Sequence, residues 1–208
     1  MIIHDIEQGS EEWHSLRAGL PTASEFSKLI TSTGAVSESM ADYARVLAAE
    51  KFAGHAVDGW EGNRYTERGK ELEDHARNAY MFITGSEVSK VGFVTDNLKR
   101  YGCSPDRFVG DDGLLEIKCQ IAKEHIKSLE YYAKHGKPPT TYIAQIQGQM
   151  FVCERQWVDL MFYHPDLPHL IIRQQPDLKL VAALRQQLAA VEAERNIVLK
   201  FLREFDDD

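Results

Sequence analysis

Residues 102–119, GCSPDRFVGDDGLLEIKC, constrain the chain more than any other stretch. GLLEIKC is a short, mostly apolar run, and the Asp111-Asp112-Gly113 turn before it is a hairpin signal. In a strand, residues two apart share a face, so Glu116 and Lys118 project together while Ile117 points the other way, into a core. The hairpin returns Asp106 alongside them. A competing reading makes this an exposed charged hairpin with Glu116 and Lys118 as a surface pair. Leu114, Leu115 and Ile117 count against it, because they describe a strand deep in a sheet, where unpaired charge is expensive and usually functional.

Two carboxylates a few ångströms apart raise each other's pKa and resist joint ionisation. A hard divalent cation resolves that conflict. Mg²⁺ takes a few carboxylate oxygens together with water and phosphate oxygens, and lowers the pKa of bound water enough to make a nucleophile near neutral pH. Lys118 is placed to orient that water or to neutralise charge developing on a phosphate. Two decoys share parts of the pattern. Pro165-Asp166 followed by Asp177-Leu178-Lys179 repeats the spacing, but Asp177 opens the helical pattern of Leu178, Val181, Leu184 and Leu188 and reads as a helix-start residue. The group His164, Asp166 and His169 lacks cysteine partners and is broken by prolines, so it reads as a loop rather than a zinc site.

Helical signals precede the hairpin. Ser10 caps a run through Trp13 and Leu16, with Glu11 and Glu12 in its first turn. Thr22 and Glu25 form a capping-box pattern before Phe26, Leu29 and Ile30, and Ser39 with Asp42 repeats it before Tyr43, Leu47 and Phe52. The periodicity predicts a longer helix over Arg64–Phe82, with Leu72, Ala76, Ala79 and Tyr80 on its apolar side. EVSKVGFV, RYGCSPDRFVG and GLLEIKC read as three strands, the first two separated by the Thr95-Asp96-Asn97 turn. Helices over Ala122–Lys134 and Thr141–Val152, strands WVDLMFYH and LIIRQQ, and an amphipathic helix from Asp177 to about Arg203 complete the pattern. No repeat or linker interrupts the 208 residues, which predicts one domain over 1–208 of α/β (α+β) class, a central mixed β-sheet flanked by helices.

The net charge of -8 disfavours long-range attraction of nucleic acid, so any DNA binding requires a local basic lining. Part of that acidity is the terminal EFDDD, read as a solvated tail. Cys103, Cys119 and Cys153 make an odd count without C-x-x-C spacing, which suggests neither a disulfide framework nor a zinc knuckle and fits a reducing compartment. Apolar runs fall short of the roughly 18 residues that span a bilayer, and the N-terminus lacks signal-peptide features, so a cytoplasmic location without membrane contact is expected.

The P-D and E-I-K elements across a hairpin resemble the PD-(D/E)xK, restriction-endonuclease-like nuclease fold. Four blocks narrow the likeness: EEWHSLRAGLPTASEF, RGKELEDHARNAY, CSPDRFVGDDGLLEIKC and YIAQIQGQMFV. In this order they resemble the phage lambda exonuclease / YqaJ-type viral recombinase family, alkaline exonucleases that digest one strand of duplex DNA. The resemblance extends to about Val152.

By that resemblance Asp106 and Glu116 match the metal-binding acids, Lys118 the catalytic lysine, and the Ile117 carbonyl an additional ligand. Glu73 matches an acid near the metals and the reactive phosphate, and Gln145 an active-site glutamine. Arg17 and Ser24 match residues that hold the 5′-phosphate of a DNA end, for which guanidinium and hydroxyl donors are apt. His75, one turn from Glu71, is set aside as that residue's partner. The family implies a Mg²⁺-dependent 5′ to 3′ double-strand DNA exonuclease, with Mn²⁺ as a substitute, acting at double-stranded DNA ends. It leaves 3′ overhangs for a single-strand annealing protein, works in the host cytoplasm, and assembles as a homotrimeric ring. The absence of a G-x-x-x-x-G-K-[ST] loop agrees with a route that needs no ATP. One departure stands out: TSTGAVSES, residues 31–39, lacks the basic residues that the phage lambda member carries in a longer stretch there. The rival readings are an endonuclease or junction resolvase on the same fold, and a nonhydrolytic DNA-end binding module.

Overall fold

The computed structural model describes residues 1–57 and 64–206, with backbone alone over 64–71. Its centre is a five-stranded mixed sheet in the order β2-β5-β6-β7-β8, built from Val88–Ser89, Arg107–Val109, Gly113–Cys119, Trp157–Tyr163 and Leu170–Gln174. Only β6 and β7 run parallel, in register from Gly113↔Trp157 to Cys119↔Tyr163. A parallel pair needs a long crossover. Helices α4 (Ala122–His135) and α5 (Ile143–Cys153) supply it. A smaller antiparallel sheet, β1-β3-β4, joins Ile2–His4, Phe93–Thr95 and Gly102–Cys103.

Side-chain alternation along β6 divides the core. Phe108, Leu114, Val158, Leu160 and Phe162 pack in one cluster with Phe26, Leu47, Ile146, Met150, Leu184 and Val191. Leu115, Ile117, Val109 and Met161 face the other way, onto Ala76 and Tyr80 of α3 (Arg64–Thr84). Ile117 is thus a core residue, as the strand period requires, and Glu116 and Lys118 lie on the opposite face. Helices α2 (Met40–Ala53) and α6 (Leu178–Asp206) pack on the larger cluster, to which α6 contributes Leu180, Leu184, Leu188 and Val191.

Local signals held in part. Ser10 caps α1 (Glu11–Arg17), accepting from the Trp13 amide, and Asp177 caps α6 by accepting from Lys179 and Leu180. The Thr22-Glu25 pattern does not make a capping box. It opens a 3-10 helix, Ala23–Lys28, with no side-chain cap, because the Thr22 hydroxyl is taken by Arg17 and Ser24. Ser39 likewise makes no side-chain cap at α2. EVSKVGFV and RYGCSPDRFVG are each split, with β2 and β5 in the large sheet and β3 and β4 in the small one. The reason for the first break is close approach. Gly92 lies against the main chain of His4 and Ile6, where a side chain has no room. The predicted helix at Thr141 begins as a 3-10 turn, Thr140–Tyr142, before α5.

Candidate active site

The P-D motif works by leaving a ladder. β5 and β6 pair from Val109↔Gly113 to Arg107↔Leu115, and extending that register puts Pro105 opposite Ile117. Proline offers no N–H. The chain peels away there: the Pro105 carbonyl accepts from Gln8 Nε2 at 3.0 Å, and Asp106 Oδ2 takes the Ile117 N–H at 2.5 Å. Within a strand the N–H and C=O of one residue point to the same side. The Ile117 carbonyl therefore shares the edge occupied by the Asp106 carboxylate.

On the other face of β6, Glu116 is 4% exposed and sits in a web of donors. Lys118 Nζ donates to Glu116 Oε1 at 2.7 Å and to Gln145 Oε1 at 3.0 Å. Gln145 Nε2 reaches the same Glu116 Oε1 at 2.6 Å, and Gln149 Nε2 reaches Oε2 at 2.7 Å. Burial works against the Lys118 ammonium, but Glu116, the hydrogen bond to it and Asp106 outweigh burial and hold its pKa above the ordinary value. Lys118 also lies 5.3 Å from the centre of the Tyr142 ring, whose hydroxyl accepts from Gln120, and Gln120 accepts from Ser128. The lysine is thereby flanked by α5 and the turn before it.

Asp106 feels too much negative charge. Burial, then Glu116, then Glu73 raise its pKa well above the ordinary carboxylate value, and Lys118 and the Ile117 amide only partly offset them. Glu73, on α3, is held 2.6 Å from Arg107 Nη1, beside a looser contact of Arg107 with Asp74 at 3.9 Å. Among the described residues, no three His, Cys, Asp or Glu side chains form a metal-holding group. What the edge offers is two carboxylates and one main-chain carbonyl, with surplus negative charge. That donor set fits a hard divalent cation of the Mg²⁺ type, which keeps several waters and needs few protein ligands.

Arg17 and Ser24 come together at a second corner. Arg17 Nη2 donates to Thr22 Oγ1 at 3.3 Å, and Thr22 Oγ1 lies 3.2 Å from the Ser24 hydroxyl. Trp13 stacks on the guanidinium at 4.0 Å, while its indole N–H donates to Ser104 Oγ at 2.8 Å, two residues before Asp106. Burial lowers the Arg17 pKa from its ordinary value. Among the described residues no carboxylate lies at ion-pair distance from Arg17, although Glu25 and Glu50 act on its charge from farther away. The Pro21 carbonyl accepts from the Gly102 amide, and Thr22 bridges to Gly102, which fastens this corner beside the strand leading to Asp106.

Asp106, Glu116, Ile117, Lys118 and Gln145 thus fall at the first corner and Arg17 and Ser24 at the second, with Glu73 near Asp106. The decoys stay apart. His164 Nδ1 accepts from the Asp166 amide in a loop, His169 is exposed, and Asp177 is a cap. His75 is exposed, and the Glu71 side chain lies outside the described residues. Gln149, Arg107 and Trp13 carry contacts that sequence reasoning missed. The i, i+4 spacing of Gln145 and Gln149 was the available signal for the first.

A family model described as the YqaJ-like viral recombinase domain matches residues 12–156. An alkaline exonuclease, LHK-Exo from Laribacter hongkongensis, is similar with a TM-score of 0.82 and 33% identity over 95% of this chain and 98% of that one. The same exonuclease in complex with dAMP gives 0.81 at 33% identity over the same shares. A phage-related exonuclease from Haemophilus somnus 129PT shares the fold, with a TM-score of 0.69 at 18% identity, over 88% of this chain and 96% of that one. No curated protein matches the sequence.

Proposed function

Because the chain belongs to the YqaJ-like viral recombinase family, we propose that it is a Mg²⁺-dependent double-strand DNA exonuclease that degrades one strand 5′ to 3′ from an end. The observation that carries this reading is the gathering of Asp106, Glu116, Lys118 and Gln145 around the second half of β6, beside the corner formed by Arg17, Thr22 and Ser24. Asp106, Glu116 and the Ile117 carbonyl would hold the cation. When bound, it supplies neutralisation of the carboxylates and a water of lowered pKa.

The chain's own groups do the rest. Arg17 and Ser24 bind the terminal 5′-phosphate and so fix which phosphodiester lies over Asp106. Lys118, kept charged by Glu116, stabilises the negative charge that develops on the scissile phosphate. Gln145 bridges Lys118 and Glu116 and keeps both aligned. Glu73 closes the site from α3, its charge balanced by Arg107. In this reading residues 1–208 act as one exonuclease domain in a homotrimeric ring in the host cytoplasm, with Mn²⁺ able to replace Mg²⁺. The 3′ overhangs pass to a single-strand annealing protein. Among the described residues, no helix is long and apolar enough to cross a membrane.

The test is digestion of linear duplex labelled at either end, bearing 5′-phosphate or 5′-hydroxyl, with and without Mg²⁺, by wild type and Asp106→Ala. Early loss of 5′ label, preference for phosphorylated ends and an inactive variant are expected. Loss of 3′ label first overturns the direction, and full activity in Asp106→Ala overturns the site. Nicking of closed circular DNA points instead to an endonuclease.

A further inference from the structure

The three donors on Glu116 are unevenly divided. Oε1 accepts from Lys118 at 2.7 Å and Gln145 at 2.6 Å, whereas Oε2 accepts only from Gln149, at 2.7 Å. An ionised carboxylate offers about four lone-pair sites, two on each oxygen. Oε1 is saturated and Oε2 retains one site. A cation that uses Glu116 has to use Oε2, and Gln149 is the donor that aims it.

Gln149 is an unusual core residue in another way. It is 1% exposed, and its Oε1 is buried without a hydrogen-bond partner among the described residues. The amide cannot turn round to relieve this, because Glu116 accepts only and needs the NH₂ end. Gln147, two residues earlier on α5, shows what a structural glutamine does here. Its Nε2 donates to the Gln175 carbonyl at 2.9 Å and its Oε1 accepts from the Asp177 amide at 2.8 Å, so both ends are satisfied and α5 is stapled to the start of α6. Gln149 leaves one end unpaired to keep one donor on Glu116, which packing alone would not select.

We propose that Gln149 is a positioning residue for the divalent cation, setting the direction of Glu116 Oε2. The inference rests on the nuclease reading above. Groups that hold a metal ligand from behind change affinity or activity by about 10–100-fold when removed. Gln149 meets that description, since its side-chain donor goes to Glu116 Oε2.

Gln149→Met keeps the length of the side chain and removes the donor. Calorimetric titration of the DNA-free protein with Mg²⁺ is expected to show affinity weakened by about 10–100-fold. With saturating linear duplex, kcat falls on the same scale at fixed Mg²⁺ while KM for DNA is unchanged. The metal-free protein should still fold and melt within a few degrees of wild type or somewhat below it, since losing the unpaired Gln149 acceptor only partly offsets leaving Glu116 Oε2 without its donor. Wild-type Mg²⁺ affinity in a folded Gln149→Met overturns the proposal, as does a loss confined to KM. If Gln149→Met does not fold, Gln149→Leu takes its place, and failure of both overturns the proposal by making the amide part of the scaffold. A wild-type protein with no Mg²⁺-dependent nuclease activity sinks the functional reading instead, a result separable from any of these.

Discussion

Asp106 carries the sharpest conflict in the molecule, and its consequences are measurable without any assay of catalysis. Burial, Glu116 and Glu73 raise its pKa in the folded chain above the ordinary 3.8. The native state therefore binds this proton more tightly than the unfolded chain. Its stabilising contribution is complete below the unfolded value and is lost as pH rises through the raised folded value. At neutral pH and without metal, Asp106→Asn is expected to melt above wild type, by about 2–4 °C for each kcal/mol recovered. That gap should close as the pH falls below the unfolded value, and Mg²⁺ should narrow it by stabilising wild type alone. Thermal melts across pH, with and without Mg²⁺, check both statements; a variant that melts below wild type at neutral pH contradicts the electrostatic reading.

Helix α5 decides whether these residues meet. Gly148 lies between Gln147 and Gln149 and faces the 3-10 helix, where a Cβ would overlap the Phe26 ring. Gly148→Ala must separate α5 from that helix, and overpacking of this kind costs about 1–3 kcal/mol. Because Gln145 and Gln149 ride on the same helix, the substitution should also lower kcat although it touches no site residue. Denaturant unfolding paired with end-digestion rates checks this, and a destabilised but fully active variant would uncouple helix seating from the site. The neighbouring loop is pinned too: the Gly19 amide donates to Glu50, and the buried Arg195 of α6 donates to the Gly19 carbonyl at 2.8 Å. This holds the chain between Arg17 and Ser24 from both α2 and α6.

The whole chain carries a net charge of -8, an awkward property for a partner of duplex DNA. The proposed homotrimeric ring would reconcile the two, since a channel with a basic lining can coexist with an acidic exterior. Light scattering is expected to return three chain masses, and a monomer at working concentration would remove the ring from the account. Phosphate contacts release counterions, so duplex binding should weaken steeply and log-linearly with salt. Fluorescence anisotropy over a salt series measures that slope. A flat response would place recognition in the Arg17 corner alone.

Much of this could be read from the sequence because its signals are local. Alternation along GLLEIKC put Glu116 and Lys118 on one face and Ile117 in the core, the DDG turn closed the hairpin, and Pro176-Asp177 marked the start of α6. The family blocks named Glu73, Gln145, Arg17 and Ser24 by position. What the chain's pattern could not supply was anything set by close approach between distant segments. EVSKVGFV and RYGCSPDRFVG read as continuous strands but divide between two sheets, since β-propensity says nothing about which neighbour a strand will find. Thr22 looked like a cap and became a partner of Arg17. Gln149 carried no signal beyond its helical spacing from Gln145, and only the packing of α5 against β6 turned its donor toward Glu116. Side-chain period is dictated within a strand or helix by backbone geometry, whereas hydrogen-bond partners depend on how those elements dock.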